Sequence, residues 1–441
     1  MTRTTLPPSP GPRTVPAQAA VKRDGGSAVS ESTGSAPDHP RRSSLIRFWP
    51  VAALMAIFAL SVLVRLPSFG IHPMADQGWT AFERFNNTEV WSHNGFVLNL
   101  YKTLPVSEHL FAAYVGAGSD EWLYRAGHPE LAIYTSFPST HFVVLFVALK
   151  LMGLGLTYAA SQVFSLIVHG LCVALVGFLV HQLTRNNLAT VIGGAMYALS
   201  TGTLWYHMNV WWSHQLLVPV FLVALVVFVR RRGQLRWWQG LLLGGAMTLI
   251  TWTGAVACVG FALHGAWKYY RTRDTAYLGN LFMVAGMVLA VVLVTTQVVI
   301  ASGASPLEYL DKVVHRAGSR TAAATSMPFP VMAWRFVNAL ILDYGGFALI
   351  GIVVAARRGL SGFHWEVVLV AAFPLLESFL LLEHDTVYGF GRLKWLIPVI
   401  LLTCAAGADL SRRGKLVLGL AVAAASVLHV ALYFVVFDPI A

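Results

Sequence analysis

Apolar runs separated by short basic or polar segments dictate what this chain can fold into. They fall near residues 48–66, 138–153, 157–183, 188–206, 211–229, 238–252, 255–268, 278–301, 336–356, 365–382, 393–409 and 415–436. A helix needs about 20 apolar residues to cross a membrane, with a range of roughly 17–25. In lipid every backbone N–H and C=O must be satisfied within the chain, and long continuous runs do this as helices. Charged residues make up only 12% of the chain and apolar types 56%. A soluble domain carries about 25% charged residues, so a chain this poor in charge cannot cover a water-facing surface. The expected fold class is all-α: a polytopic transmembrane helix bundle of about 11–12 spans, with a large first extracytoplasmic loop carrying interfacial helices.

The net charge of +11 sits in clusters between the runs. These are Arg41, Arg42 and Arg47; Arg230, Arg231 and Arg232; Lys268 to Arg273; Arg357 and Arg358; and Arg412 to Lys415. That spacing is the positive-inside pattern, and it leaves too little soluble surface for a nucleic-acid partner. Cys172, Cys258 and Cys404 all lie inside apolar runs, without the spacing of a zinc site or a disulfide framework. Residues 1–44 are rich in Pro, Ser, Gly, Ala and Arg and lack apolar periodicity. They read as a disordered cytoplasmic tail, too polar and too long for a secretory signal. The transmembrane domain is expected over 45–441, with its first span as an uncleaved anchor.

The charge rule orients the spans. With the tail in the cytoplasm, residues 67–137 form the first external loop. If 138–153 crossed fully, Arg230 to Arg232 and most later clusters would land outside. The run is short and is followed by Gly153 and Gly155, so it reads as an interfacial or re-entrant helix. About eleven spans result, with the N-terminus in and the C-terminus out; twelve is the alternative. The protein is expected in the plasma (inner) membrane as a multi-pass chain. No internal repeat is visible, which argues against an inverted-repeat transporter.

Polar chemistry gathers on the external side. The first loop carries Asp76, Glu83, Glu89, Glu108, Asp120, Glu121 and Glu130 against Arg84, Lys102 and Arg125. Asp76 lies just past the first span among apolar and aromatic neighbours. Near the membrane surface its carboxylate can take a proton from an acceptor hydroxyl, or it can cap a helix starting at Gln77. Arg125, His128 and Glu130 stand before a short apolar helix and suit a phosphate or a hydroxyl-rich ligand; a self-satisfied polar loop is the alternative. Glu383, His384 and Asp385 precede Tyr388, Arg392 and Lys394. Arg392 and Lys394 open a span on the outside, against the charge bias, and suit a lipid-linked phosphate; snorkelling to headgroups is the alternative. Glu121, Glu130, Arg125, Lys102, His384 and Tyr388 are candidate substrate contacts. Asp343 and Glu377 lie within apolar runs near their outer ends, where exposure at the interface is expected. His207, Asn209 and His214 with Trp205, Trp211 and Trp212 form an outside turn, its aromatics expected in the interface belt. The acidic loop has room for a divalent metal, but no ligand spacing demands one and no cofactor is expected.

Taken in order, these segments resemble the GT-C membrane glycosyltransferases that use polyprenyl-phosphate sugars, of the protein O-mannosyltransferase and aminoarabinose-transferase type. The family's acidic motif after the first span resembles Asp76-Gln77. Its His-Pro-Pro-Leu or Lys-Pro-Pro-Leu motif before a short helix ending in Gly resembles His128-Pro129-Glu130-Leu131 through Gly153. Its basic, aromatic start to a late span with an internal Pro resembles Arg392 to Pro398. The likeness covers roughly residues 48–410. The chain departs from the family pattern at Gln77 (often Glu), at Glu130 (often Pro) and at His214 (often an Asp nearby).

The resemblance implies a sugar donor on an isoprenoid phosphate and an acceptor that is an envelope glycan, lipid or protein. It implies Asp76 as general base, inversion at the anomeric carbon without a metal, and His128, Arg392 and Lys394 near the donor phosphate. Such a donor carries its own leaving group, so the enzyme must deprotonate the acceptor and stabilise the departing phosphate. A multi-span transporter or lipid flippase is the alternative function, and a noncatalytic scaffold a third. Only the enzyme requires Asp76, His128 and Arg392 to surround one cavity.

Overall fold

A computed structural model describes residues 45–71, 100–102, 123–126, 128–133, 138, 140–155, 157–209, 211–318, 321, 327–387 and 389–436. The tail 1–44 lies outside the described residues, as do Asp76, Glu121 and Tyr388. From Arg47 to Ala441 the chain folds as one unit.

Helix α1 (Leu45–Arg65) ends in a 3-10 turn, Leu66–Ser68. Pro67 in that turn has no N–H to continue the ladder. Part of the first loop follows as a small antiparallel sheet of β1 (Leu100–Lys102), β2 (Leu123–Arg125) and β3 (His128–Ile133), in the order β1-β3-β2. Its register slips between Tyr124 and Arg125, where Arg125 faces His128 beside Pro129, a residue that cannot donate to a ladder. Most of the loop, where interfacial helices were expected, lies outside the described residues. The sheet is tied to the bundle by Ala126 N–H donating to the Ala301 carbonyl at 3.0 Å.

The bundle continues with α2 (Thr140–Leu151), α3 (Tyr158–Thr184), α4 (Asn187–Leu199), α5 (Thr201–Asn209), α6 (Ser213–Arg230), α7 (Trp237–Ile250) and α8 (Trp252–Thr272). Then come α9 (Phe282–Ser302), α10 (Pro306–Gly318), α11 (Phe329–Arg358), α12 (Gly362–Ala372), α13 (Leu375–Leu380), α14 (Leu382–Val387), α15 (Leu393–Gly407) and α16 (Arg412–Val436). Local chemistry sets the ends. Thr157 caps α3 by accepting from Ala160 N–H, and Asn186 caps α4 by accepting from Leu188 and Ala189 N–H. Among the described residues six helices are long and apolar enough to cross a membrane by themselves, at 48–68, 158–184, 213–230, 275–302, 329–358 and 412–436. The protein is a membrane protein, and its fold is the expected helix bundle.

Hydrogen bonds fix the helix directions. Gln162 on the first turns of α3 accepts from Gly70 N–H at 2.7 Å and donates to the Ser68 carbonyl at 3.2 Å, so α3 starts where α1 ends. Ser68 also meets Tyr433 near the end of α16 at 2.9 Å, so α1 and α16 finish on one face. We call this the loop face. On the opposite face His364 Nε2 meets the Leu183 carbonyl at 3.2 Å and Asn186 donates to the Ala408 carbonyl at 3.4 Å. Following the described helices between these anchors gives about eleven passes, with α4–α5 and α12–α13 as broken spans. Every basic cluster from Arg230 onward then lies on the second, basic face. Helix α2 is 12 residues long, about 18 Å, too short to cross a core about 30 Å thick. It stays at the loop face, where Trp211 Nε1 donates to the His141 carbonyl at 2.9 Å and Thr140 Oγ1 to the Leu249 carbonyl at 2.5 Å.

The main core lies between α3, α4, α6 and α15, built from residues such as Cys172, Val180, Tyr197, Leu222 and Leu396. Trp205, Trp211 and Trp212 are buried in it rather than placed in an interface belt. Trp212 packs edge-on against Phe142 of α2 and Trp211 against Phe164 of α3, so the short helix covers the rings that lipid headgroups were expected to meet. The free cysteines are all buried.

Candidate functional site

At the loop-face end of α15, the segment Gly389–Arg392 forms a 3-10 turn that feeds directly into the helix. The turn needs its glycines for close approach. A Cβ on Gly391 would collide with Asp385 Oδ1, and one on Gly389 would collide with Tyr206 Oη. Only bare backbone lets Arg392 reach its partners.

Arg392 makes three contacts from three elements. Its Nε donates to Asp343 Oδ2 of α11 at 2.7 Å, Nη1 to the Asp385 carbonyl at 2.9 Å, and Nη2 to Tyr206 Oη of α5 at 3.0 Å. A guanidinium has five N–H donors in a planar fork, so two remain after these bonds. Lys394, two residues beyond the turn, pairs with Glu377 Oε2 at 2.8 Å and Asp385 Oδ2 at 3.0 Å. Asp385 also accepts from Ser378 Oγ and faces His384 Nδ1 at 3.5 Å, while Trp395 Nε1 donates to Ser378 Oγ at 3.0 Å. Asp343, Glu377, His384, Asp385, Arg392 and Lys394 are all between 1% and 7% exposed. A buried ion pair needs additional hydrogen bonds to offset its desolvation, and Tyr206, Ser378 and the Asp385 carbonyl supply them here.

Asp343 lies fifteen positions before Arg358 on α11, about 22 Å along the axis. Phe329 at the other end of α11 is fourteen positions away, so the network gathers between the middle of α11 and the loop-face end of α15. Asp385 belongs to α14, in the connection between the spans rather than in one of them. Burial alone would raise its carboxyl. Lys394 first, then His384 and Ser378, outweigh burial and hold it well below the usual carboxylate range. The cluster gathers three carboxylates around Arg392 and Lys394, with His384 beside Asp385.

A second buried cluster holds α5 in place. Arg65, fully buried at the end of α1, donates from Nε to the Leu204 carbonyl at 2.8 Å and from Nη2 to the Thr203 carbonyl at 2.9 Å. Its Nη2 also meets His169 Nε2 at 3.3 Å, and Tyr197 Oη meets His207 Nε2 at 2.7 Å nearby. The described residues give Arg65 no carboxylate. Its charge rests on carbonyls at the break between α4 and α5, and this fixes the helix that presents Tyr206 to Arg392.

Of the residues singled out in the sequence, the structure brings Arg392, Lys394 and His384 together. Lys102, Arg125, His128 and Glu130 share the loop sheet, of which only the backbone at those positions is described. Asp343 and Glu377 correct the sequence reading: they are buried partners of Arg392 and Lys394, not exposed interface acids. The intramembrane acids and the misplaced basic pair were both visible, and matching their opposite signs is the signal that joins them. Tyr206 carried no such signal, because its role depends on the fold of α5. Among the described residues no group of three His, Cys, Asp or Glu is placed to hold a metal ion.

No family model and no curated protein matches the chain. Solved structures do. The oligosaccharyltransferase AglB from Archaeoglobus fulgidus, in complex with an inhibitory peptide and a dolichol-phosphate, aligns with TM-score 0.54 at 12% identity, over 90% of this chain and 56% of that one. The apo oligosaccharyltransferase of the same organism gives 0.57 at 14% identity, over 89% and 57%. ArnT from Cupriavidus metallidurans bound to undecaprenyl phosphate gives 0.53 at 17% identity, over 87% and 64%. The likeness is one of fold: the chain has the GT-C fold. It spans between 56% and 64% of the length of these structures.

Proposed function

We propose that this chain is a membrane glycosyltransferase that moves a sugar from a polyprenyl-phosphate donor to an acceptor hydroxyl. The observation that carries the reading is the shared fold with two structures that hold a dolichol-phosphate and an undecaprenyl phosphate, over 90% and 87% of this chain. The buried network at the loop face supports it, because it holds an arginine and a lysine in fixed positions close together.

In this reading the loop face is extracytoplasmic, the basic face and the N-terminus are cytoplasmic, and the membrane is the plasma (inner) membrane. The acceptor hydroxyl attacks the anomeric carbon of the donor. The C–O bond to the acceptor forms as the C–O bond to phosphate breaks, and the polyprenyl phosphate leaves with the bonding pair. Asp76 takes the acceptor proton, and the configuration inverts. His128, Arg392 and Lys394 steady the leaving phosphate, with Arg392 offering the two N–H groups its partners leave unused. No metal is required for these steps. Glu121, Glu130, Arg125, Lys102, His384 and Tyr388 are the proposed contacts of the sugar and acceptor. Asp343, Glu377 and Asp385 act through the cations: they hold them in place and keep the site near electrical balance until the phosphate arrives.

One observation favours transport instead. The Arg65–His169 contact and the His207–Tyr197 contact bury polar groups inside the bundle, as a conduction path for a proton or polar solute would. The test is sugar transfer by purified protein from radiolabelled polyprenyl-phosphate mannose, then other polyprenyl-phosphate sugars, to an envelope lipid extract. Transfer by wild type that disappears in Asp76→Asn supports the enzyme. Absence of transfer from every donor, with flux of labelled lipid or solute in proteoliposomes, replaces it with the transporter.

A further inference from the structure

Helix α6 starts at Ser213–His214 on the loop face and is 18 residues long, ending at Arg230, about 26 Å away. There, on the basic face, a cavity of about 720 Å³ opens between the ends of α3, α6 and α12. Arg185, Arg230 and Arg232 line it together with Gln182, while Leu183 and Phe363 form an apolar part of its wall. No acidic residue is in its lining.

Three features separate this cavity from a solvated topology signal. The first is selection within the Arg230–Arg231–Arg232 triplet, where only the outer two line the cavity. The second is the backbone. Arg185 and Arg232 both adopt left-handed conformations, with φ of 52°, at helix ends where glycine is the usual occupant. Arginine at both positions keeps two guanidiniums that glycine would lose. The third is partnership. Among the described residues the three arginines have no ion pair, and Arg230 instead lies 5.1 Å over the Phe178 ring. Two acids of the same face are engaged elsewhere: Glu366 pairs with Lys268 at 2.5 Å and His264 at 3.0 Å, and Asp274 accepts from Gln234 at 3.0 Å. The wall is also fixed, since His364 ties the start of α12 to the Leu183 carbonyl at 3.2 Å.

We propose that Arg185, Arg230 and Arg232 form a binding site for the phosphate of an anionic membrane lipid, on the face opposite the ionic network. Planar guanidiniums match phosphate oxygens in forked pairs. Leu183 and Phe363 place apolar surface beside the cations, as a glycerol backbone and the first acyl carbons require. A free phosphate has no use for that apolar wall, which favours the lipid as the source. The site needs only a membrane-spanning chain and does not depend on the glycosyltransferase reading.

The test uses full-length protein, delipidated in neutral detergent and titrated with phosphatidylglycerol or phosphatidylcholine under native mass spectrometry. Wild type is expected to bind phosphatidylglycerol in preference to phosphatidylcholine. Arg185→Gln with Arg230→Gln and Arg232→Gln is expected to bind it about 100-fold more weakly, from the usual contribution of each basic residue near a lipid surface. Arg412→Gln with Arg413→Gln, on another cluster of the same face, is expected to bind as wild type does. Equal loss in both variants, or none in the first, overturns the proposal. If the triple glutamine variant does not fold, the triple lysine variant is read instead: it keeps the charge, loses the fork, and is expected to bind several-fold more weakly. Binding by the lysine variant equal to wild type overturns the site. Thermal stabilisation by inorganic pyrophosphate but not by phosphatidylglycerol overturns the lipid as ligand.

Discussion

Asp343 and Arg392 stand 49 positions apart in sequence and meet as a buried pair, with Nε donating to Oδ2 over 2.7 Å. Removing one partner strands the other charge inside the bundle, at a cost of about 3–5 kcal/mol, whereas replacing both by apolar groups of similar volume is often neutral. Asp343→Ala is therefore expected to lower the unfolding midpoint in detergent sharply. The double variant Asp343→Leu with Arg392→Met is expected to recover most of that loss without recovering sugar transfer. If the double variant unfolds as readily as the single one, the pair is not the source of the stability.

The Gly389–Arg392 turn predicts a steep difference between glycines. Ala at 391 drives its Cβ into Asp385 Oδ1, and Ala at 389 drives it into Tyr206 Oη. Either substitution is expected to break the contacts of Arg392 and abolish transfer. Gly419 in α16 has nothing within 4 Å of where a Cβ would stand, and Gly419→Ala is expected to keep full activity and melt no lower than wild type. Transfer assays on the three variants, after matched purification, decide this.

Asp385 gives the network a pH dependence of known sign. Its folded carboxyl is held below the ordinary value of 3.8, chiefly by Lys394 acting against burial. A depressed acid contributes stability that is fully present above its unfolded pKa and lost as pH falls through the folded one. The gap in unfolding midpoint between wild type and Asp385→Asn is therefore expected to be constant from neutral pH down to about 5 and to shrink as pH drops below 3.8. A gap that instead shrinks as pH rises reverses the sign and removes Lys394 as its cause.

The sequence carried the helix bundle and its two faces more clearly than the site. Basic clusters such as Arg230–Arg232 and Arg412–Lys415 mark one face because charge between spans is position information in itself. The short run before Gly153 and Gly155 likewise showed that α2 stays at one side. What a span packs against is much less legible, since lipid and protein core are both apolar. Trp211 and Trp212 read as interface residues for that reason and are buried under α2. Arg392 and Lys394 stood out as cations on the wrong side, but the Arg392 partners Asp343 and Tyr206 lie 49 and 186 positions away. Only tertiary packing brings those partners in, and no local pattern encodes it.

The remaining prediction separates positioning from phosphate contact at Arg392. Tyr206→Phe removes the hydroxyl that accepts from Nη2 and leaves Asp343 and the Asp385 carbonyl in place. A net hydrogen bond to a charged group is worth about 1.5–3 kcal/mol, so this variant is expected to lose about tenfold or more in transfer rate, with donor affinity nearly kept. Arg392→Lys keeps a positive charge but offers three donors from one point instead of a planar fork. It cannot span Asp343, Tyr206 and the Asp385 carbonyl and also meet a phosphate. Donor affinity is expected to fall about 10–100-fold, on the scale of a lost bidentate contact, while the acceptor KM stays within about twofold. Titrating donor and acceptor separately against both variants reads the difference. An unchanged donor affinity in Arg392→Lys would remove Arg392 from the donor site and leave it as the residue that locks α5, α11 and α15 together.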